Sequence, residues 1–355
     1  MSSAAPNPAF WSGRRVLLTG HNGFKGAWAA LWLKELGAEV HGLALPPETT
    51  PSLWREIGDG LLVGESIVDL GDREGVRRAV ADARPQVVLH MAAQALVRRS
   101  YAEPVETIAT NALGTIHLLD ALRSAKGLVA TLVVTTDKVY ENPGSGRAFA
   151  EGDPLGGHDP YSASKAAAEL LTRSYAASFF DRAGIPLATA RAGNVVGGGD
   201  WSEDRLIPDI WRASKAGVPL RLRSPSATRP WQHVIEPLAG YFAYLEALHR
   251  SDSVPRALNF GPQPGEPMTV ATVADAVSKA LGVERAWQLD KGDHPPEMLS
   301  LSLDPALARE TIGWRPRLSG QETIEWTARW YADHDRGIPA RTLCLDQIRQ
   351  YGALS

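Results

Sequence analysis

The chain has 355 residues, of which 44% are hydrophobic and 22% charged, and its formal net charge is −3. This composition is typical of a soluble globular protein that buries a large core in one large domain or two joined ones. Lysine and arginine are scattered among the acids, so no nucleic-acid partner is expected. No apolar run is long enough for a membrane span, and we expect no membrane partner. The single cysteine, Cys344, excludes an internal disulfide. Residues 1–10 lack the features of a signal peptide, so we expect a cytoplasmic protein.

Short apolar runs alternate with helical patterns through the first half of the chain. The strands are predicted at 15–19, 39–45, 67–68, 86–90, 128–135 and 186–191. The helices are predicted at 23–36, 73–83, 104–124 and 162–182. Regular alternation of strands and helices indicates an α/β fold with a doubly wound parallel sheet.

The pattern changes after Asn194, where a glycine-rich loop is followed by shorter elements. Helices are predicted at 234–249, 270–281 and 321–331, and a strand at 256–260. We therefore expect a smaller C-terminal lobe that covers the substrate. The predicted division is a Rossmann domain at 13–194 that regains 234–261, a substrate lobe at 195–233 and 262–335, and a tail at 336–355.

Three glycines, Gly20, Gly23 and Gly26, follow the first strand and open the first helix. Glycines there allow a tight turn and a close approach of backbone N–H groups to a diphosphate. Their spacing is G-x-x-G-x-x-G, which differs from the usual G-x-G-x-x-G. The predicted cofactor-binding residues of this turn are Gly20, His21, Asn22, Gly23, Phe24, Lys25 and Gly26.

The rest of the dinucleotide would lie across the ends of the later strands. The second strand ends in Gly42-Leu43-Ala44-Leu45, without the acid that would clamp a free ribose, so this region does not decide between NAD and NADP. Asn111 is interpreted either as a cofactor ligand or as a buried polar bracket. The further predicted cofactor residues are Asp69, Leu70, Ala92, Ala93, Gln94, Asn111, Thr135, Tyr161 and Lys165.

Tyr161 and Lys165 are spaced to share one face of a helix, one turn apart. The ammonium of Lys165 would lower the pKa of Tyr161, which could then take a proton from a sugar hydroxyl. Thr136, Asp137 and Lys138 follow the fifth strand, at the edge where such sheets bind ligands. Thr136 could bond a substrate hydroxyl, and Asp137 could give a proton to a leaving hydroxyl if burial keeps it protonated. Lys138 could act as a base only as a neutral amine.

The second lobe supplies candidate substrate-binding residues. Asn194 ends the sixth strand and could orient the substrate, and the arginines could bind a diphosphate. The histidines show no metal-ligand spacing, so no metal site is expected. The predicted substrate-binding residues are Asn194, Arg205, Leu206, Ile207, Arg229 and His233.

Taken together, the motifs resemble the extended short-chain dehydrogenase/reductase family and, within it, the CDP-sugar branch of the 4,6-dehydratases. The resemblance covers residues 13–331. The matching segments are Thr19–Gly26, Ala92–Arg98, Thr136–Tyr140, Asp159–Lys165, Arg191–Trp201 and Arg229–His233. The last two segments are more discriminating than the generic ones.

The resemblance implies a redox-neutral lyase that uses NAD and acts on the nucleotide sugar CDP-glucose. It implies that Tyr161 takes the proton of the 4-hydroxyl as C4 is oxidised, and that Asp137 is the acid at the C6 hydroxyl. The product would be CDP-4-keto-6-deoxy-glucose, a precursor of deoxysugars in surface polysaccharides. Relatives of this kind also imply a homodimer or homotetramer, with the two long helices at the interface.

The chain carries Asp137-Lys138 where dTDP-sugar dehydratases carry Asp-Glu, and this fits the CDP-sugar branch. Lys138 would either remove the C5 proton as a neutral amine or only stabilise the enolate. One alternative function is a nucleotide-sugar epimerase or a dehydratase of another nucleotide sugar. The other is a non-catalytic dinucleotide sensor, although such chains often lose the Tyr–Lys pair that this one keeps.

Overall fold

The computed structural model describes residues 5–144, 146–262, 268–283, 287–290, 292 and 301–354. Residues 1–4 of the segment without signal-peptide features, and parts of the predicted 262–335 lobe, lie outside these ranges. Over the described residues, no helix is both long and apolar enough to cross a bilayer.

A parallel sheet of seven strands forms the centre of the described structure, in the order β10-β6-β5-β4-β1-β2-β3. Its inner strands are apolar on both faces, because helices cover the sheet on each side. This confirms the predicted doubly wound Rossmann sheet. The strands are β1 (Arg15–Thr19), β2 (Glu39–Ala44), β3 (Gly64–Ile67), β4 (Val87–His90), β5 (Ala130–Val134), β6 (Leu187–Ala192) and β10 (Ala257–Phe260).

The strand order reverses between β1 and β4, which pair in parallel from Val16 with Val87 to Thr19 with His90. Helices that leave these two strands lie on opposite faces of the sheet, so a crevice opens at the strands' carboxyl ends. Such a crevice is where doubly wound sheets bind their ligands.

Fourteen α-helices are assigned within the described residues. They are α1 (Pro8–Trp11), α2 (Phe24–Glu35), α3 (Leu53–Ile57), α4 (Arg73–Ala83), α5 (Val97–Ala102), α6 (Pro104–Ile108), α7 (Gly114–Leu122), α8 (Pro160–Tyr175), α9 (Leu206–Ala216), α10 (Ile235–Arg250), α11 (Val270–Ala280), α12 (Ala306–Ile312), α13 (Gly320–Asp335) and α14 (Ala340–Ala353). Two π-helical segments, Ala109–Leu113 and Ala176–Phe180, interrupt the predicted long helices.

Short parallel pairs stand outside the main sheet. These are β7 (Val195–Val196) with β9 (Gln232–His233), and β8 (Leu220–Leu222) with β11 (Trp287–Leu289). The larger hydrophobic core continues from the sheet through α10 to Trp330 and Tyr351, so the late helices pack on the same core as the first strands. Helix α9 and the loop before it thereby stand over the carboxyl edge of the sheet.

Candidate functional site

The glycine-rich turn is built so tightly that only glycine fits at two positions. A Cβ on Gly20, whose φ is +70°, would lie 2.8 Å from the backbone of Ala92. A Cβ on Gly26 would lie 1.9 Å from the carbonyl oxygen of Gly20. Gly23 is the N-cap of α2 and offers no side chain to the first N–H groups. The open N-terminus of this helix fits a diphosphate, which its N–H groups and dipole would bind.

The side chain of His21 is fully buried. Its Nε2 lies 2.7 Å from Oε1 of Glu65, and its ring packs edge-on to Trp54 at 4.8 Å. Gly42 makes room for the imidazole, since a Cβ there would lie 2.6 Å from the His21 ring. The side chain therefore ties the turn to the strands beneath it, and only the backbone of His21 is left to meet a cofactor.

Asn22 and Phe24 complete the turn. The amide of Asn22 donates to the carbonyl oxygen of Leu45 at 2.5 Å, which joins the turn to the end of β2. Phe24 is partly buried and reaches the backbone of Gly197, where a Cβ would lie 3.2 Å from its ring. The first helix is thus in contact with the loop that follows β6.

Asp69 and Leu70 follow β3 at the far end of the crevice. Asp69 is exposed, and its Oδ1 accepts a hydrogen bond from the backbone N–H of Gly71 at 2.7 Å. Leu70 is buried, and its carbonyl oxygen lies 2.8 Å from Nδ1 of His117. Asp69 is therefore placed on the surface beside the crevice, where an adenine amino group would find it.

The loop after β4 is held from two sides. Thr19 Oγ1 accepts from the backbone N–H groups of Met91 and Ala92, each at 3.1 Å. Thr19 also lies 2.7 Å from Nδ1 of His90. Burial lowers the pKa of His90 to about 3, so this ring is neutral.

Asn111 is the buried polar bracket that the sequence left open as one interpretation. Its Oδ1 accepts from the N–H of Gln94 at 2.8 Å. Its Nδ2 donates to the carbonyl oxygen of Gln94 and to Oγ of Ser164, each at 2.9 Å. Both amide hydrogens are therefore bonded within the protein, and Asn111 supports the Ala92–Ala93–Gln94 loop and the start of α8.

The start of α8 is well defined. Its N-cap, Asp159, accepts from the N–H of Ser162 at 2.9 Å, and Pro160 occupies the first turn, as helix starts favour. Tyr161 and Lys165 follow on one face, with 8% and 7% of their surfaces exposed. Their predicted shared face is confirmed.

Lys165 does not act on Tyr161 in the predicted way. Its Nζ donates to the carbonyl oxygen of Val134 at 3.0 Å, and burial lowers the pKa of Lys165 to about 8. Burial raises the pKa of Tyr161, while the charge of Arg205 and a hydrogen bond with Thr136 oppose this rise. The prediction of a lowered pKa for Tyr161 is wrong for the protein alone, because desolvation of the phenol outweighs these contributions.

Thr136, Asp137 and Lys138 form a short turn directly after β5. Asp137 is fully buried; its Oδ1 accepts from Thr136 Oγ1 at 3.0 Å and from Lys138 Nζ at 3.3 Å. Its Oδ2 is also buried and finds no hydrogen-bond partner among the residues that the structure describes. A Cβ on Gly193 would lie 3.1 Å from this oxygen. A buried carboxylate oxygen without a partner, close to Tyr161, is suited to exchange a proton with a bound molecule.

Two further cations lie near this group. Burial lowers the pKa of Lys25 to about 7; the charges of Arg205 and Lys165 act in the same direction, and that of Asp137 opposes them. Arg205 is the N-cap residue of α9, and its Nη2 donates to the carbonyl oxygen of Ala95 at 3.2 Å. The glycine-rich turn and the second lobe thus both deliver positive charge to the crevice.

The other predicted substrate residues differ in their access to the crevice. Asn194 and Leu206 are partly exposed, and Arg229 donates to the carbonyl oxygen of Thr228 at 2.9 Å. Ile207 is buried, with 2% of its surface exposed. His233 is fully buried, its ring packs edge-on to Trp28 at 5.9 Å, and burial lowers its pKa to about 3. The side chains of Ile207 and His233 are therefore buried, and the role of these two residues in substrate binding stays a prediction.

The site also contains residues that the sequence analysis did not select. Glu169 lies one turn beyond Lys165 in α8 and is bonded to Thr135 and Arg191. The sequence did contain a sign of this pair: Glu169 lies on the core-facing side of a predicted helix, and Arg191 ends an apolar predicted strand. Buried charges of this kind require partners, but the sequence does not name them.

Comparison with known proteins agrees with this geometry. A family model described as GDP-mannose 4,6 dehydratase matches residues 17–327. A CDP-glucose 4,6-dehydratase of Salmonella typhimurium is 42% identical over 96% of this chain and 97% of its own length.

Two solved structures share the fold and carry NAD. A UDP-glucose 4-epimerase of Thermus thermophilus is 30% identical, covers 91% of this chain and 99% of its own, and superposes with a TM-score of 0.77. DesIV, a dTDP-glucose 4,6-dehydratase of Streptomyces venezuelae, is 25% identical, covers 91% and 98%, and also has a TM-score of 0.77. The chain belongs to the GDP-mannose 4,6 dehydratase family, within the extended short-chain dehydrogenases/reductases.

Proposed function

We propose that this chain is an NAD-dependent hydro-lyase that removes water from CDP-D-glucose and forms CDP-4-dehydro-6-deoxy-D-glucose, an intermediate of deoxysugar biosynthesis. The family label names one member's substrate, whereas the relative that is 42% identical over nearly the whole chain acts on CDP-glucose. The observation that carries the proposal is the buried Oδ2 of Asp137, which has no hydrogen-bond partner among the described residues, on a carboxylate whose charge acts on Tyr161. An elimination needs this second acid–base group next to the residues that oxidise the sugar.

The first stage uses the residues of α8. NAD, which the glycine-rich turn Gly20–Gly26 would hold, would supply the hydride chemistry, accepting a hydride from C4 and donating one to C6 with no net change in its oxidation state. We assign the Tyr161 oxygen as acceptor of the 4-hydroxyl proton, which requires that its pKa fall below that of the protein alone when cofactor and substrate bind. Thr136, a hydrogen-bond partner of Tyr161, would bond the same hydroxyl. The Lys165 ammonium supplies positive charge from below, where the Val134 carbonyl holds it.

The second stage uses the turn after β5. The 4-ketone acidifies the C5 hydrogen, and Lys138 either accepts this proton or stabilises the enolate that its removal leaves. We assign Asp137, through its buried Oδ2, the role of proton donor to the C6 hydroxyl, which leaves as water. Reduction at C6 and protonation at C5 complete the product, so the net change is the loss of one water molecule.

An epimerase is the runner-up function, because the Thermus UDP-glucose 4-epimerase is 30% identical to the chain. Epimerisation at C4 needs the Tyr–Lys pair but no acid–base pair for C5 and C6. Lys138 Nζ lies 3.3 Å from Asp137 Oδ1 at the site, and epimerisation at C4 gives this pair no catalytic role. We therefore favour the dehydratase.

Incubation of the protein with NAD and CDP-, dTDP-, UDP- or GDP-glucose tests the proposal, with the products identified by mass spectrometry. Loss of one water from CDP-glucose, at the highest kcat/KM of the four, is the expected result. Loss of water from another nucleotide sugar alone would reassign the substrate. An isomer of unchanged mass would support the epimerase, and unchanged sugars would support the sensor.

We further propose a homodimer or homotetramer, acting in the cytoplasm in the synthesis of a surface polysaccharide. Six large apolar side chains are exposed on helices α5, α6 and α8 and on the two π-helical segments. Such a patch marks a protein contact, and we assign it to a second copy of the chain. The exposed residues are Tyr101, Val105, Ile108, Leu113, Leu170 and Phe179.

The domain division is kept as a proposal. Residues 13–194, together with 234–261, would hold the cofactor. Residues 195–233 and 262–335 would close over the sugar nucleotide, and residues 336–355 would follow as a tail. Limited proteolysis that cuts near 195 or 262 first, and less readily with substrate bound, is the expected result.

A further inference from the structure

Glu169 in α8 and Arg191 in β6 form an ion pair in the interior, each with 4% of its side chain exposed. Arg191 Nε donates to Oε1 of Glu169 and Nη2 donates to Oε2, both at 2.9 Å. Taking two charges out of water costs about as much as their attraction returns, so stability alone does not explain such a pair. A forked arginine–carboxylate pair does fix the relative position of the two elements that carry it.

The carboxylate of Glu169 holds the start of the catalytic turn. Thr135 Oγ1 donates to Oε1 of Glu169 at 2.5 Å, and Thr189 Oγ1 donates to Oε2 at 2.7 Å. Thr135 immediately precedes Thr136, Asp137 and Lys138. Glu169 lies one helical turn after Lys165, so α8 carries both the Tyr161–Lys165 pair and the residue that anchors segment 136–139.

The guanidinium of Arg191 holds the other end of the same turn. Its Nη1 donates to the hydroxyl of Tyr140 at 2.7 Å, and that hydroxyl donates to Oδ1 of Asn259 in β10 at 2.7 Å. Tyr140 follows the turn directly, and 1% of it is exposed. Both ends of segment 136–139 are therefore fastened to one charge pair.

We propose that Glu169 and Arg191 are positioning residues that keep the acid–base turn 136–139 in register with Tyr161 and Lys165. The inference rests on the proposed function, in which two chemical stages act on neighbouring carbons of one sugar. If the turn moves relative to α8, oxidation at C4 continues, because Tyr161 and Lys165 stay on their helix. Elimination then fails, because Asp137 and Lys138 no longer reach C6 and C5.

We call Glu169, Arg191 and their bonds to Thr135 and Tyr140 the clamp. Two variants remove parts of it. Tyr140→Phe removes one hydroxyl at the Arg191 end and keeps the ring in place. The double variant Glu169→Gln with Arg191→Met removes both charges, so no unpaired charge is left buried. Glu246→Gln is the matched control: it is a buried carboxylate whose Oε1 accepts from Trp11 Nε1 at 2.8 Å, outside the clamp.

We expect the clamp variants to oxidise the sugar at C4 but to convert less of the resulting 4-keto sugar into the dehydrated product. Misplacement of about 1 Å can cost about a hundredfold in rate, so water loss should fall by about that factor in both clamp variants. Reduced cofactor and the 4-keto sugar that has not lost water should accumulate, as measured by absorbance and mass spectrometry. Glu246→Gln should give the wild-type ratio of the two products. Peptides covering 136–142 should also exchange amide hydrogen faster in both clamp variants.

A folded Tyr140→Phe protein with the wild-type product ratio and wild-type exchange at 136–142 would overturn the clamp. Equal losses of oxidation and elimination, with an unchanged ratio, would also overturn it, because that pattern indicates general damage. Failure of the proposed function is distinct: there the wild type itself releases no water from CDP-glucose. The product ratio is then measured with the nucleotide sugar that the wild type dehydrates, and the exchange measurement needs no substrate.

Discussion

Tyr161 and Lys165 share the buried face of α8, which their four-residue spacing, together with the glycine-rich turn, led us to expect. The bond from Lys165 to the carbonyl oxygen of Val134 was not predicted. It joins α8 to β5, and no local pattern records which strand end faces a helix. The burial that raises the pKa of Tyr161 is likewise a tertiary property. Spacing thus predicted that the two residues share a helix face, while the groups around each side chain are set by the tertiary fold.

Replacing Tyr161 with phenylalanine should reduce kcat by about 10³-fold, because general acid–base groups contribute about 10²–10⁴-fold. Binding of NAD, followed by fluorescence, should change little. Tyr175→Phe, at the other end of the same helix, is the control and should retain full activity. Wild-type turnover by the Tyr161 variant would remove this residue from the mechanism.

Replacing Lys138 with alanine separates the two chemical stages. Water loss should fall by about 10²-fold or more, the lower end of the general-base range, while reduction of NAD by the substrate persists slowly. Single-turnover absorbance and product mass measure the two stages. Elimination at the wild-type rate would show that Lys138 takes no part.

At the level of elements, most predicted strands and helices lie within a few residues of those observed. The exceptions are instructive. The predicted helix 104–124 contains the π-helical segment Ala109–Leu113, where the extra residue per turn lets Asn111 face the loop after β4. A period of 3.6 residues does not reveal such a segment, in which Asn111 and Ala112 are buried but Leu113 is 51% exposed.

The glycine-rich turn makes a prediction for its element. Gly26→Ala would place a methyl group 1.9 Å from the carbonyl oxygen of Gly20, so α2 must move away from β1. Overpacking of this kind costs about 1–3 kcal/mol, and we expect NAD to bind at least about tenfold more weakly in titration calorimetry. Gly352→Ala, where the added Cβ meets nothing within 4 Å, is the control and should bind NAD normally.

At the scale of the whole molecule, the C-terminal helix α14 docks through a buried carboxylate. Oε1 of Glu236 accepts from the N–H groups of Arg317 and Leu318 at 2.6 Å, and Oε2 accepts from the Tyr351 hydroxyl at 2.7 Å. Burial raises the pKa of Glu236 from 4.5 to about 7, although these hydrogen bonds oppose the rise. The sequence showed only an acid in an apolar helix, and its partners come from distant segments.

The raised pKa predicts how stability depends on pH. Between pH 4.5 and about 7 the folded state binds more protons than the unfolded state at Glu236, so this contribution is full below pH 4.5 and is lost as pH rises towards 7. Relative to Glu236→Gln, the wild type should lose on the order of 3 kcal/mol of unfolding free energy over this window. Urea unfolding at several pH values measures it, and parallel curves for the two proteins would contradict it.

The proposed interface gives a prediction for the assembly. Val105 is 79% exposed, and a charge there would be desolvated if a second copy covers it. Val105→Asp should shift sedimentation towards the monomer, whereas Val218→Asp, at a residue 53% exposed in the other lobe, should not. Identical sedimentation of all three proteins would place the interface elsewhere.

The strand order has a consequence for biosynthesis on the ribosome. β10 pairs with β6, yet the polypeptide must first be translated through α9 and α10 before β10 emerges. Until then the outer edge of β6 carries unsatisfied backbone groups, which invite pairing with other nascent chains. Pairing with β10 covers that edge, and Phe260 of β10 packs against Trp314, a residue translated later still, with ring centroids 4.9 Å apart. Premature termination anywhere before β10 would therefore release an aggregation-prone fragment, even though nearly all residues of the nucleotide crevice had been made.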